Sequence, residues 1–199
     1  DEAPDFETRA DLIVKEWEIT ADRSRPPDLD ALAGFERSLG VGDDPPGLFG
    51  AIVADRRLLM GPDCSFTQDY RRRYDDAALL RILQNGCEAM ERAFDALEPD
   101  LVVGFICVSL LEYLAFLFAR ARGVRYLNLR TSRVANRILL SDSHRDPAPE
   151  VARALHETAF GDVERKIARS WIDRARTDNA KYEGVAAPSA RPAQRASLS

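Results

Sequence analysis

Lysine, histidine and cysteine are scarce in this sequence, and each scarcity excludes a class of chemistry. Of the 28 basic residues only Lys15, Lys166 and Lys181 are lysines. Arginine favours bidentate contacts with carboxylates and phosphates, although base composition at the level of the genome gives the same bias. The two histidines, His144 and His156, lie in different contexts, so a Ser-His-Asp triad or a histidine metal site has little to stand on. Three cysteines, Cys64, Cys87 and Cys107, form an odd set without CxxC spacing, which argues against a disulfide framework or a zinc site and fits a reducing cytoplasm. No P-loop, no GxGxxG after a strand, no HExxH and no GxSxG occurs. We therefore expect neither a metal nor a cofactor. Positive charge is also short, with a net charge of −5, so no global field exists to hold nucleic acid. Nothing at the N-terminus resembles a signal peptide. The expected setting is cytoplasmic, with peripheral association at the inner face of the plasma membrane left open.

What is present is a chain of 199 residues, 45% hydrophobic and 31% charged, which suits one globular domain with irregular ends. Its centre is Pro99 to Arg130. Leu101 to Ile106 is an apolar run rich in β-branched and aromatic residues and reads as a buried strand. Ser109 stands three residues before Glu112, the spacing of a capping box, so a helix begins near Leu110. That helix is apolar almost all round through Ala119 and stops at Gly123. Val124 to Leu129 alternates as a second strand. Two strands joined by a helix of this length imply a right-handed βαβ unit with parallel strands. A transmembrane helix over Leu101 to Ala119 is the rival reading. It would place Glu112 near the bilayer centre at a cost of roughly 2.5–3.5 kcal/mol, and Val102, Val103 and Gly104 suit a strand better.

Around this centre the chain is less even. Asp1 to Arg25 holds one short amphipathic piece, Leu12 to Ile19, that fits strand or helix. Asp28 offers an N-cap to a helix carrying Leu29, Leu32, Phe35 and Leu39 up to Gly40. Leu48 to Met60 is apolar on both sides of a charged centre and again fits strand or helix. Asp75 and Asp76 open a long helix whose stripe is Leu79, Ile82, Leu83, Cys87, Met90, Phe94 and Leu97. Thr131 to Asp146 is a polar and apolar mixture where a strand should release its chain toward a ligand crevice, and helix returns from Pro149 and again from Asp162. The tail from Tyr182 is rich in Ala, Pro and Ser and reads as a linker or disordered end. The expected divisions are 1–27, an N-terminal segment; 28–146, an α/β domain; 147–180, a helical arm; and 181–199, the tail.

Three constellations carry potential chemistry. The turn Cys107-Val108-Ser109 with Glu112 lies at the carboxyl end of the central strand, where open α/β sheets bind ligands and free N–H groups favour an anion. Capping the helix accounts for Ser109 and Glu112 equally without further assumption. Thr131, Ser132, Arg133, Asn136 and Arg137 follow the second strand and suit a sugar or a phosphate, or else form a solvated connection. Asp55-Arg56-Arg57 reads as a structural ion pair or as a carboxylate held at a cleft. The run Arg71 to Arg73 suits a solvated face. His144, beside Asp142 and Asp146, is either an acid/base group or an exposed loop histidine.

Three stretches carry a resemblance: AIVADRRLL at Ala51 to Leu59, EPDLVVG at Glu98 to Gly104, and RTSRVANRILLSD at Arg130 to Asp142. Over about Asp28 to Asp146 the sequence resembles the N-terminal region of glycosyltransferase-like proteins of bacterial capsular or surface polysaccharide biosynthesis, which have a two-domain GT-B architecture. The resemblance implies an α/β fold with a Rossmann-like parallel sheet flanked by helices, the acceptor-side half of such an enzyme. A C-terminal donor-binding domain or partner subunit would then hold the nucleotide-sugar, and a glycan would be the acceptor. Transfer needs a base near the acceptor hydroxyl and positive charge near the leaving diphosphate. Glu112, Asp55 and His144 are the candidates for the first, Arg133 and Arg137 for the second, with Ser109, Thr131, Ser132 and Asn136 as further substrate contacts. The alternatives are a non-catalytic sugar-binding or assembly domain, and a sugar-nucleotide epimerase of the same double-Rossmann layout.

Overall fold

A computed structural model describes residues 9–42, 47–59, 73–105, 107–131, 138–142 and 149–177. The elements follow local signals closely. Helix α1 is Glu16–Ala21, and α2, Leu29–Ser38, starts at Asp28, whose carboxylate accepts from the Ala31 N–H. After a single 3-10 turn at Gly47–Phe49 come two short helices, α3 at Gly50–Ala54 and α4 at Arg56–Leu59. The ambiguity over this segment is thereby resolved as helix. Helix α5, Asp76–Leu97, is capped by Asp75 through a hydrogen bond from Ala78 N–H, and at 22 residues it runs roughly 33 Å. It ends on Glu98 in the left-handed region, just ahead of Pro99.

The central stretch folds as a parallel βαβ unit. Strand β1 is Leu101–Phe105, helix α6 is Leu110–Ala121, and β2 is Arg125–Thr131, with β1 and β2 in parallel register from Leu101 opposite Arg125 to Phe105 opposite Leu129. Gly123 takes the left-handed conformation that ends α6. Strand β3, Ile138–Ser141, pairs beyond β2, giving the order β1-β2-β3 in a mixed sheet. The protein is thus α/β with a small sheet flanked by helices. Among the described residues no helix is long and apolar enough to cross a membrane.

One expectation needs correction. Strand β1 is not buried on both faces: Leu101, Val103 and Phe105 are exposed while Val102 and Gly104 between them are half-buried. An unbroken apolar run suggests a strand covered on both sides, but the period of two sends alternate residues to opposite faces, and α6 packs against β1. The mixed segment after β2 also holds a strand beyond those expected, Ile138-Leu139-Leu140-Ser141. Its four residues are too few for alternation to announce it against the polar residues on either side.

Residues Asp1–Arg130 and Leu139–Ala148 form one unit, and Thr131–Ile138 with Pro149–Ser199 form a second. In the first, the core is built between α5 and α6. Gly86 permits their close approach, because a Cβ there would lie 2.8 Å from Leu114 Cδ1. Ile82, Leu83, Cys87, Leu110, Leu114 and Leu117 fill this layer, and Phe118 stacks against Phe94 at 5.7 Å between centroids. Helix α1 belongs to the same core. Ile19 is buried, and the Asn85 amide donates to the carbonyls of Ile19 and Asp22 at 3.1 and 2.6 Å. The second unit carries helices α7, Pro149–Glu157, and α8, Asp162–Thr177. Val163, Ile167 and Ile172 on α8 are exposed.

Candidate functional site

At the carboxyl end of β1 the chain turns sharply into α6. Cys107 adopts φ +58°, a conformation unusual for a residue with a side chain. Ser109 caps the helix by accepting from Glu112 N–H at 3.3 Å. Glu112 reaches back to the strand: Oε1 accepts from Phe105 N–H at 2.9 Å and Oε2 from Val108 N–H at 3.2 Å. Its carboxylate is therefore a clasp across the turn, taking up backbone donors that the end of a strand leaves unpaired. Burial pushes the Cys107 thiol up to about 11, so it stays protonated near neutrality and is a poor nucleophile.

The first N–H of α6 is taken by a residue from far upstream. Asp55, 0% exposed, accepts from Leu110 N–H at 3.2 Å. The same carboxylate accepts from the Arg57 backbone N–H and Nε, both at 3.0 Å, and from Arg57 Nη2 at 2.7 Å. Arg57 Nη2 also donates to Glu16 Oε1 at 2.5 Å. One guanidinium thus bridges a carboxylate at the end of α3 and another at the start of α1.

The two carboxylates are pushed apart. Burial works against the charge on Asp55, but hydrogen bonds to Arg57, Glu16 and Leu110 N–H outweigh it and hold the carboxyl below its ordinary value. At Glu16 burial prevails, reinforced by Asp55 and only partly offset by Arg57, and the carboxyl is held above its ordinary value. Arg57, paired to both, is held further above the range of a free guanidinium. A pair of titratable groups driven in opposite directions is the arrangement that acid/base chemistry uses. A cleft of about 230 Å³ opens on this cluster, bounded by Glu16, Trp17, Thr20, Arg57, Arg73 and Tyr74. Trp17 is 68% exposed at its edge.

Of the residues singled out from sequence, Asp55, Ser109 and Glu112 converge on the first turn of α6. Thr131 ends β2. Ser132, Arg133, Asn136, Arg137 and His144 lie outside the described residues. Glu16 and Trp17 were not legible as site residues, because their segment is short and Glu16 meets Arg57 only across 41 positions of sequence. A tryptophan within the short amphipathic piece Leu12 to Ile19 was the signal available. Among the described residues no group of three or more histidine, cysteine or carboxylate side chains could hold a metal ion. Comparison with family models, with curated proteins and with solved structures finds no match to this chain.

Proposed function

We propose that the chain is the acceptor-side, Rossmann-like half of a GT-B-type glycosyltransferase of bacterial surface polysaccharide biosynthesis, working on the cytoplasmic side at the membrane face. The observation that carries the reading is the Glu16–Arg57–Asp55 cluster opening into a cleft edged by an exposed indole. A pyranose presents one largely apolar C–H face and a rim of hydroxyls. Trp17 supplies a flat apolar platform for the first, and Glu16, Thr20 and Arg73 supply polar groups for the second. Glu16, with its carboxyl held above its ordinary value by burial, is the group suited to take the proton of an acceptor hydroxyl. Asp55 positions Arg57 and the first turn of α6. The parallel β1–α6–β2 unit and the three stretches of resemblance support the same reading. The nucleotide-sugar would be held by a C-terminal domain or a partner subunit.

Titrating the full-length protein with UDP-, GDP- and CMP-sugars, and following nucleotide release with and without a glycan acceptor, tests this proposal. Acceptor-dependent release is the expected result, and failure to bind every donor would overturn it. A second reading, a non-catalytic sugar-binding or assembly domain, is favoured by the commitment of Glu112 and Asp55 to backbone hydrogen bonds. It requires glycan binding without nucleotide release.

A further inference from the structure

Arg81 lies in the second turn of α5 and is only 3% exposed. Its Nε and Nη2 have no hydrogen-bond partner, and Glu88 Oε2 is 3.9 Å from Nη2, beyond hydrogen-bond reach. The other oxygen of Glu88, Oε1, accepts from the Gln84 amide at 2.8 Å. A buried guanidinium with two unmet donors and only a long ion pair to Glu88 is costly to keep, and a fold retains one most readily where an anion completes it.

The surroundings are built for that anion. A cavity of about 460 Å³ reaches Arg81 and is walled by Arg23, Arg25, Arg73, Tyr74 and the first turn of α5. The guanidinium groups of Arg23 and Arg73 lie over the Tyr74 ring at 5.0 and 5.2 Å, which limits their freedom before any ligand arrives. The acidic wall residue Asp75 spends its carboxylate on Ala78 N–H at 2.7 Å. Asp22, nearby, is engaged by the Ser24 hydroxyl at 2.8 Å. The N-terminal end of a 22-residue helix adds its partial positive charge to the same wall.

We propose that this cavity binds the diphosphate group of a small organic ligand, with the Arg81 guanidinium as its buried anchor and Arg23, Arg25 and Arg73 closing around it. Arginine forks match the paired oxygens of phosphoryl groups, and four of them suit two linked phosphoryl groups better than one. The cavity is large enough for a diphosphate with an attached residue. The inference shares the wall residues Arg73 and Tyr74 with the cleft above, but it does not require Glu16, Trp17 or Asp55 and has its own test.

Calorimetric titration of the full chain with inorganic pyrophosphate, inorganic phosphate and chloride at matched ionic strength tests the proposal. Pyrophosphate should bind more tightly than phosphate, and Arg81→Met should weaken it by about tenfold or more. Methionine fills similar space without a charge, and the double variant Arg23→Ser, Arg25→Ser, confined to exposed side chains, should weaken binding independently of any folding defect. Parallel titrations with uridine diphosphate and with phosphatidylcholine vesicles carrying farnesyl diphosphate separate a soluble from a lipid-borne source; binding of either that depends on Arg81 supports the assignment. Equal responses to pyrophosphate and chloride, equal affinity for phosphate and pyrophosphate, unchanged binding in both variants, or binding of pyrophosphate but of neither organic diphosphate would overturn it.

Discussion

Replacing Asp55 by alanine should be among the most damaging single changes in this protein, and its magnitude can be worked from the contacts. The variant strips the acceptor from Leu110 N–H, on a residue that is itself buried, and from three donors of Arg57. An orphaned buried N–H costs about 1–3 kcal/mol. The Arg57 side chain is 64% exposed and can return to water, so its lost pairing adds only about 0–1 kcal/mol. The sum is about 1–4 kcal/mol, or roughly 2–16 °C in Tm for a chain of this size. Urea denaturation followed by circular dichroism measures it. Asp55→Asn keeps one acceptor oxygen for Leu110 and should cost roughly half as much.

The pH dependence gives a second handle on the same residue. Because the folded-state pKa of Asp55 is lowered, its contribution is present above the ordinary aspartate value of about 3.9 and is lost as pH falls through the lower folded value. Asp55→Asn should flatten that part of the stability profile. A loss under about 0.5 kcal/mol in Asp55→Ala would refute the reasoning, being no more than a surface substitution costs. So would an acid limb unchanged in Asp55→Asn.

Other expectations follow from single contacts. A Cβ at Gly104 would meet Tyr126 Oη, so Gly104→Ala should destabilise by about 1–3 kcal/mol, with part of the loss recovered in the double variant with Tyr126→Phe. Glu112→Gln should cost about 1–2 kcal/mol in denaturation, because an amide oxygen can accept from only part of the pair Phe105 N–H and Val108 N–H. Trp17→Ala should change stability by less than about 0.5 kcal/mol, since the side chain is largely exposed, yet should weaken glycan binding by full-length protein in a titration. Cys107, with its thiol held up to about 11 by burial, should resist iodoacetamide at pH 7.5 in peptide mapping and label only under denaturing conditions.

The elements with strong local chemistry could be read from sequence alone. Asp28, Asp75 and Ser109 each announce a helix by a side chain that the structure finds hydrogen-bonded three residues on, at Ala31, Ala78 and Glu112. The stripe on α5 and the stop at Gly123 are likewise local facts. What escaped depends on distance in sequence. Whether β1 is covered on one face or both depends on which elements pack on it, and its residues are apolar on both faces. Asp55 could be flagged as a carboxylate among hydrophobes, but its partners Leu110 and Glu16 lie 55 and 39 positions away, and no spacing connects them. Arg81 was hidden inside an amphipathic helix, where an arginine ordinarily points to solvent.

The central claim is that Glu16 takes a proton from a sugar hydroxyl, and the pH–rate profile of nucleotide release by the full-length protein tests it most directly. With Glu16 titrating above the ordinary glutamate value of about 4.3, the rate should rise with pH through that raised value. Glu16→Gln should abolish this limb and slow acceptor-dependent release by about 10²–10⁴-fold while leaving donor binding intact. A profile and rate unchanged by Glu16→Gln would contradict the account.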